Sequence, residues 1–252
     1  YTIDFRPTTG QATGTAIQLA IANNAVQDLK NNNNSDGADA NNKVTITVDT
    51  LAPTIANVLI TSNAGTDNTY IAGDKILIKA VFSEAVTFSD NNVGLNFKIG
   101  NATVTASYDS TNLSNTGTDK YFSYTVLGTD SDTNGISIAA NPVVITGNTT
   151  TVRDAAGNDA VLTYASTTAD SANHLVDTTA PTVALSASLN TVNLETGTTL
   201  STITFTFSEV PVGFSADDLS ISGGTISNLV QSTSDPRSEE HTSELQSPCT
   251  IS

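Results

Sequence analysis

Between residues 53 and 180 the chain is written in short runs of alternating apolar and polar positions. Ile76, Ile78, Ala80 and Phe82 are interleaved with Lys75, Leu77 and Lys79. The same period of two recurs in Val93, Leu95, Phe97 and Ile99, in Val104, Ala106 and Tyr108, and in Phe122, Tyr124 and Val126. Alternation of this kind predicts strands with one buried face. Ile55–Ile60, 136–145 and 160–164 bring the total to seven strands or slightly more. Gly, Asn and Asp clusters at 61–68, 89–92, 109–119, 128–135 and 154–158 supply the turns between them. That spacing predicts an all-β sandwich. Its core is expected to hold Ile76, Ile78, Phe82, Leu95, Phe97, Phe122, Tyr124 and Val126.

The sandwich is one unit of a repeat. Asp49-Thr-Leu-Ala-Pro53-Thr recurs as Asp177-Thr-Thr-Ala-Pro181-Thr, 128 residues on (177 minus 49). Proline removes a ladder donor and holds the preceding residue extended, so each copy suits a short, stiff joint. Phe82-Ser83-Glu84 returns as Phe207-Ser208-Glu209, and Asp154-Ala-Ala-Gly157-Asn158 has a weaker echo in Asp28-Leu-Lys-Asn-Asn32. The expected organisation is the end of one domain over 1–52, a complete domain over 53–180 and the start of a third over 181–236. The chain has no Met and begins at Tyr1, which predicts an internal segment of something longer.

Composition narrows the function. Acids number 25 against 9 Lys and Arg, a net charge of −16. Such a surface repels phosphate backbones and anionic lipid, so nucleic acid is not an expected partner and direct membrane insertion is not expected either. No apolar run approaches the roughly 18 residues of a membrane span. The segment Arg237-Ser-Glu-Glu240-His241-Thr-Ser-Glu244-Leu245-Gln-Ser247 resembles the in-frame translation of a common short-read sequencing adapter. Pro248-Cys249-Thr250 fits that adapter's variable index, and Ile251-Ser252 the constant stretch behind it. Residues 237–252 therefore read as a non-native tail that packs against nothing. Without Arg237, Glu239, Glu240 and Glu244 the balance is 22 acids to 8 bases, or −14, and the only cysteine, Cys249, is gone.

Asp177-Thr-Thr-Ala-Pro181, Phe82-Ser-Glu84-Ala-Val86 and Asp154-Ala-Ala-Gly157-Asn158 together resemble the bacterial immunoglobulin-like repeats of very large surface proteins. The similarity runs over essentially all of 1–236. The run from Tyr70 through Asp132 is similar to one subtype, and that from Phe207 through Gly224 to a shorter one. The resemblance implies tandem immunoglobulin-like β-sandwiches, one complete and two truncated. It also implies an extender or stalk role in extracellular or bacterial cell-surface adhesins, often stiffened by calcium. Leu51 in place of the second linker Thr, and the missing Gly in the Asp28 motif, depart from the pattern.

No catalytic constellation is visible, and the chain reads as a non-enzyme. His174 lies among Ser, Asn and Asp and reads as an exposed loop or edge residue. Asp217 and Asp218 are neighbours, so in a strand they would point to opposite faces. The acids elsewhere carry more. Asp130-Ser-Asp132-Thr-Asn134-Gly135 sets oxygen groups at alternate positions before a Gly, as a calcium loop opens. With strands running alternately up and down, Asp130, Asp132 and Asn134 fall at the pole of linker residue Asp177, which Glu209 of the next repeat faces. Asp154 and Glu84 fall at the other pole, with linker residue Asp49. Clustered carboxylates repel one another, and a divalent cation reverses that sign. Calcium is therefore expected at both joints. Neighbouring repeats are the expected partners, with any host or surface receptor bound by other parts of the parent protein. Two rival readings remain: an accessory array spacing the catalytic domain of a secreted hydrolase, and a ligand-binding surface module. The absence of Trp argues against sugar stacking in the latter.

Overall fold

The computed structural model describes residues 1–35, 40–165, 167–192, 201–230 and 246–251. They fall into two compact units, residues 1–178 and residues 179–252.

The first unit opens with an antiparallel pair, β1 (Thr15–Ala20) and β2 (Lys43–Val48), in which Ile17 faces Ile46 and Leu19 faces Val44. The sandwich follows: β3 (Ile55–Ile60), β4 (Thr69–Tyr70), β5 (Lys75–Phe82), β6 (Thr87–Phe88), β7 (Val93–Ile99), β8 (Ala102–Tyr108), β9 (Asp119–Thr125), β10 (Ser131–Asp132), β11 (Val143–Ile145), β12 (Val152–Arg153) and β13 (Leu175–Asp177). One sheet has the order β11-β7-β8-β9-β5-β3. Facing strands form the set β10-β13-β4 and the pair β12-β6. Every rung of the large sheet is antiparallel, and β13 runs parallel to β4.

Alternation set the register. Ile76, Ile78, Phe82, Leu95, Phe97, Phe122 and Val126 are all buried, and Tyr124 is half-buried against the same core. A one-residue slip would have turned every one of them to solvent. Aromatic rings hold the middle of the layer. Phe88 meets Phe122 at 6.3 Å and Tyr108 at 4.7 Å between centroids.

Two expected strands are shorter than their hydrophobic runs suggest. Of 136–145 only Val143–Ile145 is laddered, because Asn141 takes a positive φ of 55° and Pro142 offers no donor. Residues 160–164 pass the edge of β3 with isolated bonds, such as Val161 N–H to the Pro53 carbonyl, rather than a ladder.

The second unit contains β14 (Val183–Ala187), β15 (Ser201–Phe207), β16 (Ile226–Ser227) and β17 (Gln246–Ile251), ordered β14-β15-β17-β16. Phe205 and Phe207 are buried against Phe214. The tail expectation needs correcting at 246–251. These residues are extended but paired, with Ile203 facing Cys249 and Thr206 facing Gln246. Unpaired N–H and C=O groups along a strand edge template the backbone of any extended segment, whatever its origin. Residues 237–245 and Ser252 lie outside the described residues.

Candidate metal centre

Three strand ends meet at one pole of the first unit. Asp49 follows β2, Glu84 follows β5 by two residues, and Asp154 follows β12. One carboxylate oxygen from each lies within 4.8 Å of the other two. That span is close to twice a calcium–oxygen distance of about 2.4 Å. The three line a 430 Å³ cleft together with Thr13, Gly14, Thr47, Val48 and Ala85, and among the described residues no Lys or Arg lines it.

Two side chains, Thr13 and Asn158, bridge these acids, and the Leu51 N–H donates to Asp49 Oδ1 at 3.2 Å. The Thr13 hydroxyl donates to Asp49 Oδ2 at 2.5 Å and reaches Glu84 Oε2 at 3.4 Å. The Asn158 amide donates to Asp154 Oδ2 at 2.7 Å and reaches Asp49 Oδ1 at 3.4 Å. Glu84 Oε1 is buried and accepts no hydrogen bond from the described residues. Burial, then the charges of Asp49 and Asp154, push the Glu84 carboxyl above its usual range, against the lowering effect of Thr13. Burial also acts to raise Asp154. The Asn158 side chain and the N–H groups of Asn158, Gly157 and Ala156 outweigh it and hold that carboxyl below its usual range. Three carboxylates with no facing cation among the described residues fit a hard, oxygen-seeking divalent ion such as calcium. Asp154 and Glu84 are presented by the sandwich, and Asp49 by the segment before it.

The turn that aims Asp154 is itself repeated. Asp154 Oδ1 accepts from Asn158 N–H at 2.8 Å, and Gly157 has φ 94°. In the weaker echo Asp28 Oδ1 accepts from Asn32 N–H at 2.9 Å, the Asn32 amide donates to Asp28 Oδ2 at 2.8 Å, and Asn31 has φ 65°. Asparagine tolerates that left-handed backbone better than other non-glycine residues, so the missing Gly did not abolish the turn.

The other expected cluster is built differently. Its placement follows the expected topology: Ser131 pairs with Asp177 across β10 and β13, and the Thr178 hydroxyl donates to the Asp130 carbonyl at 2.8 Å. Its side chains are engaged by the protein. Asp130 Oδ2 accepts from the Tyr124 hydroxyl at 2.9 Å and the Leu127 N–H at 2.8 Å. Burial and this carboxylate push the Tyr124 hydroxyl up to about 12. Asp132 is buried and accepts from the N–H groups of Gly100, Asn134 and Gly135. The Asn134 amide donates to Asp170. Asp130, Asp132 and Asp177 are not brought into a carboxylate cluster among the described residues. The alternate-oxygen loop is thus a backbone clasp that ties the β7–β8 hairpin turn at Gly100, φ 57°, to the β10 loop. Glu209, in the second unit, follows β15 by two residues as Glu84 follows β5, and its Oε1 is likewise buried with no hydrogen bond from the described residues.

Three other positions differ from expectation or went unremarked. His174 is half-buried, not exposed. It stacks on Tyr70 at 6.0 Å, with Nδ1 3.2 Å from the Tyr70 hydroxyl, and burial lowers its pKa. Asp217 and Asp218 sit in the one-turn helix Ala216–Asp218, where Asp218 accepts from the Ser215 N–H and hydroxyl as a cap. Lys120 is buried at a core-facing position of β9, its Nζ 2.9 Å from the Thr116 carbonyl and 5.7 Å from the Phe88 ring centre. A lysine at the apolar phase of an alternating strand was the signal for it in the sequence.

No curated protein matches the chain. Residues 177–238, a span that stops short of β17, match the family described as a bacterial Ig-like domain, in agreement with the resemblance read from the linker and Phe-Ser-Glu motifs.

Proposed function

We propose that this chain is a non-enzymatic stalk or extender region of a bacterial cell-surface or secreted adhesin, stiffened by calcium where Asp49, Glu84 and Asp154 converge. The bacterial Ig-like match supports the coarser part, a structural surface repeat module. Among the described residues no helix is long and apolar enough to cross a membrane. The observation that carries the metal reading is the meeting of three carboxylates from three separate strand ends, one with an oxygen buried and unsatisfied by the described residues. Neighbouring repeats are the natural partners of such a module, and receptor contact falls to other parts of the parent protein.

Calcium at the cleft would bind Asp49 from the leading segment and Glu84 and Asp154 from the sandwich, fixing the joint between them. Extracellular modules bind calcium at roughly 10⁻⁴–10⁻³ M. At ten times the dissociation constant, linkage gives about 1.4 kcal/mol of stabilisation. The test is thermal melting of the full chain in millimolar calcium and in chelator, alongside Glu84→Gln and Asp154→Asn. The melting temperature should rise by a few degrees with calcium in the parent chain, and the rise should shrink in both variants. Equal melting temperatures in calcium and chelator would leave the three acids as plain surface charge.

A further inference from the structure

We propose that His174 is a proton-sensitive latch on β13: when its imidazole takes up a proton below neutral pH, β13 lets go of β4 while the six-stranded sheet stays closed. β13 is the last strand of the sandwich and is held by two rungs to β4 and two to β10. His174 stands directly before it and ties the segment down. Its ring stacks on the buried Tyr70 of β4, 6.0 Å between centroids and 10° between planes. Its carbonyl accepts from the Ile136 N–H at 3.0 Å, and its N–H donates to the Ser171 carbonyl at 2.9 Å. Beside it the Leu175 N–H donates to the Asn68 carbonyl at 2.8 Å. The backbones are in close contact here: a Cβ on Gly135 would lie 2.0 Å from the Ser171 carbonyl oxygen.

The ring is seated as a neutral base. The Leu77 N–H donates to Ser62 Oγ at 3.0 Å, Ser62 Oγ lies 2.7 Å from the Tyr70 hydroxyl, and that hydroxyl lies 3.2 Å from His174 Nδ1. One run of donors, from Leu77 through Ser62 and Tyr70, satisfies each group in turn and ends on the Nδ1 lone pair. An imidazolium has no such lone pair. Its Nδ1–H must donate back to Tyr70, whose own proton then turns to the Ser62 carbonyl at 3.2 Å, and the Ser62 hydroxyl loses its acceptor. The carboxylates nearby have other work. Asp67 and Asp74, on either side of β4, accept from the Thr69 and Ile71 N–H groups. Asp132 on β10 is held by Gly100, Asn134 and Gly135, and Asp170 by the Asn134 amide. Neither these nor Asp177 shifts the ring. Burial alone does, and it lowers the pKa from 6.5. The folded chain thus holds this proton less tightly than the unfolded one, so stability present above 6.5 is lost as pH falls through the lowered value. The cost falls where the rungs are fewest, so β13 opens before the core does.

Amide hydrogen exchange of the full chain at about pH 5.5 and about pH 7.5, on either side of a histidine's ordinary range, tests this. Each rate is divided by the intrinsic rate at its own pH. Protection of the Ile136 and Leu175 amides should fall several-fold at the lower pH, while that of β5 and β9 holds. His174→Phe keeps a ring over Tyr70 with no proton to gain, and its protection should be equal at the two pH values. His174→Gln should behave in the same way. The His174 C2–H resonance, identified by its loss in these variants, should titrate below 6.5. Equal protection at both pH values in the parent chain would overturn the proposal. So would the same loss in the variants, a loss spread over β5 and β9, or titration at or above 6.5.

Discussion

The two poles of the sandwich carry similar acids and use them in opposite ways. At one, Asp132 is buried beneath three backbone N–H donors, and half-buried Asp130 accepts from a hydroxyl and a fourth N–H. At the other, Asp49, Glu84 and Asp154 face one another across a cleft, and Glu84 keeps a buried oxygen with no donor among the described residues. Counting carboxylates does not separate these cases. Nor does counting donors, since Asp154 accepts from the Asn158 side chain and three N–H groups. What separates the poles is that one oxygen from each of Asp49, Glu84 and Asp154 lies within 4.8 Å of the other two and that Glu84 Oε1 has no donor among the described residues.

The largest effect that can break this contrast is at Asp132. Asp132→Ala strands three inward N–H groups in a buried place, so urea unfolding should show a loss of about 3–5 kcal/mol. The loss should be the same in calcium and chelator. A calcium-dependent loss would return the Asp130–Asn134 loop to the metal sites.

Smaller by a few-fold is the turn that aims Asp154. Gly157→Ala asks an L-residue to hold φ 94° and should cost about 1 kcal/mol or somewhat more. Asn31→Gly, at the equivalent turn, should be nearly neutral or slightly stabilising. A matching loss at both positions would show that the two turns are not equivalent.

The smallest effect is Glu84→Gln without calcium. Glu84 holds its proton more tightly in the folded chain than its ordinary value of 4.5. Its ionisation therefore subtracts stability as pH rises from 4.5 through the raised value. Asp154 has the opposite sign: its contribution is present above its ordinary value of 3.8 and is lost as pH falls further. In chelator at neutral pH, Glu84→Gln should melt slightly above the parent chain, and the difference should close as pH approaches 4.5. A variant that melts lower at every pH would mean that Glu84 is held by donors.

The strands were legible because one face of each is buried, and burial writes a period of two into the sequence. Phe122 and Leu95 could be placed from spacing alone. The common pole of Asp49, Glu84 and Asp154 was legible too, since alternating strand direction fixes which ends coincide. What Asp132 does was not legible. Its Oδ2 takes its proton donor from Gly100, 32 residues away, across a hairpin turn whose approach no local pattern records. His174 was misread for a similar reason. Its polar neighbours suggested solvent, whereas its cover is Tyr70, 104 residues earlier. Lys120 shows the limit of alternation itself: phase predicts burial and says nothing of how an ammonium is accommodated beside Phe88.

The parallel step between β13 and β4 bears on how such a module takes load. β3 begins beside Phe82 at the acid pole, and β13 ends beside Ser131 at the other, so tension on the chain draws the two strands in opposite senses along their own lengths. β3 shares a five-rung register with β5, whose bonds are strained together rather than one after another. β13 is held by only two rungs to β4 and two to β10, with the Tyr70–His174 stack and buried Val176 behind them. Under pulling, β13 is therefore expected to yield before β3, a small step in a force–extension trace ahead of the opening of the six-stranded sheet. If the proposed stalk role holds, the module has a fuse three residues long, whose release uncovers Val176 before the large sheet opens.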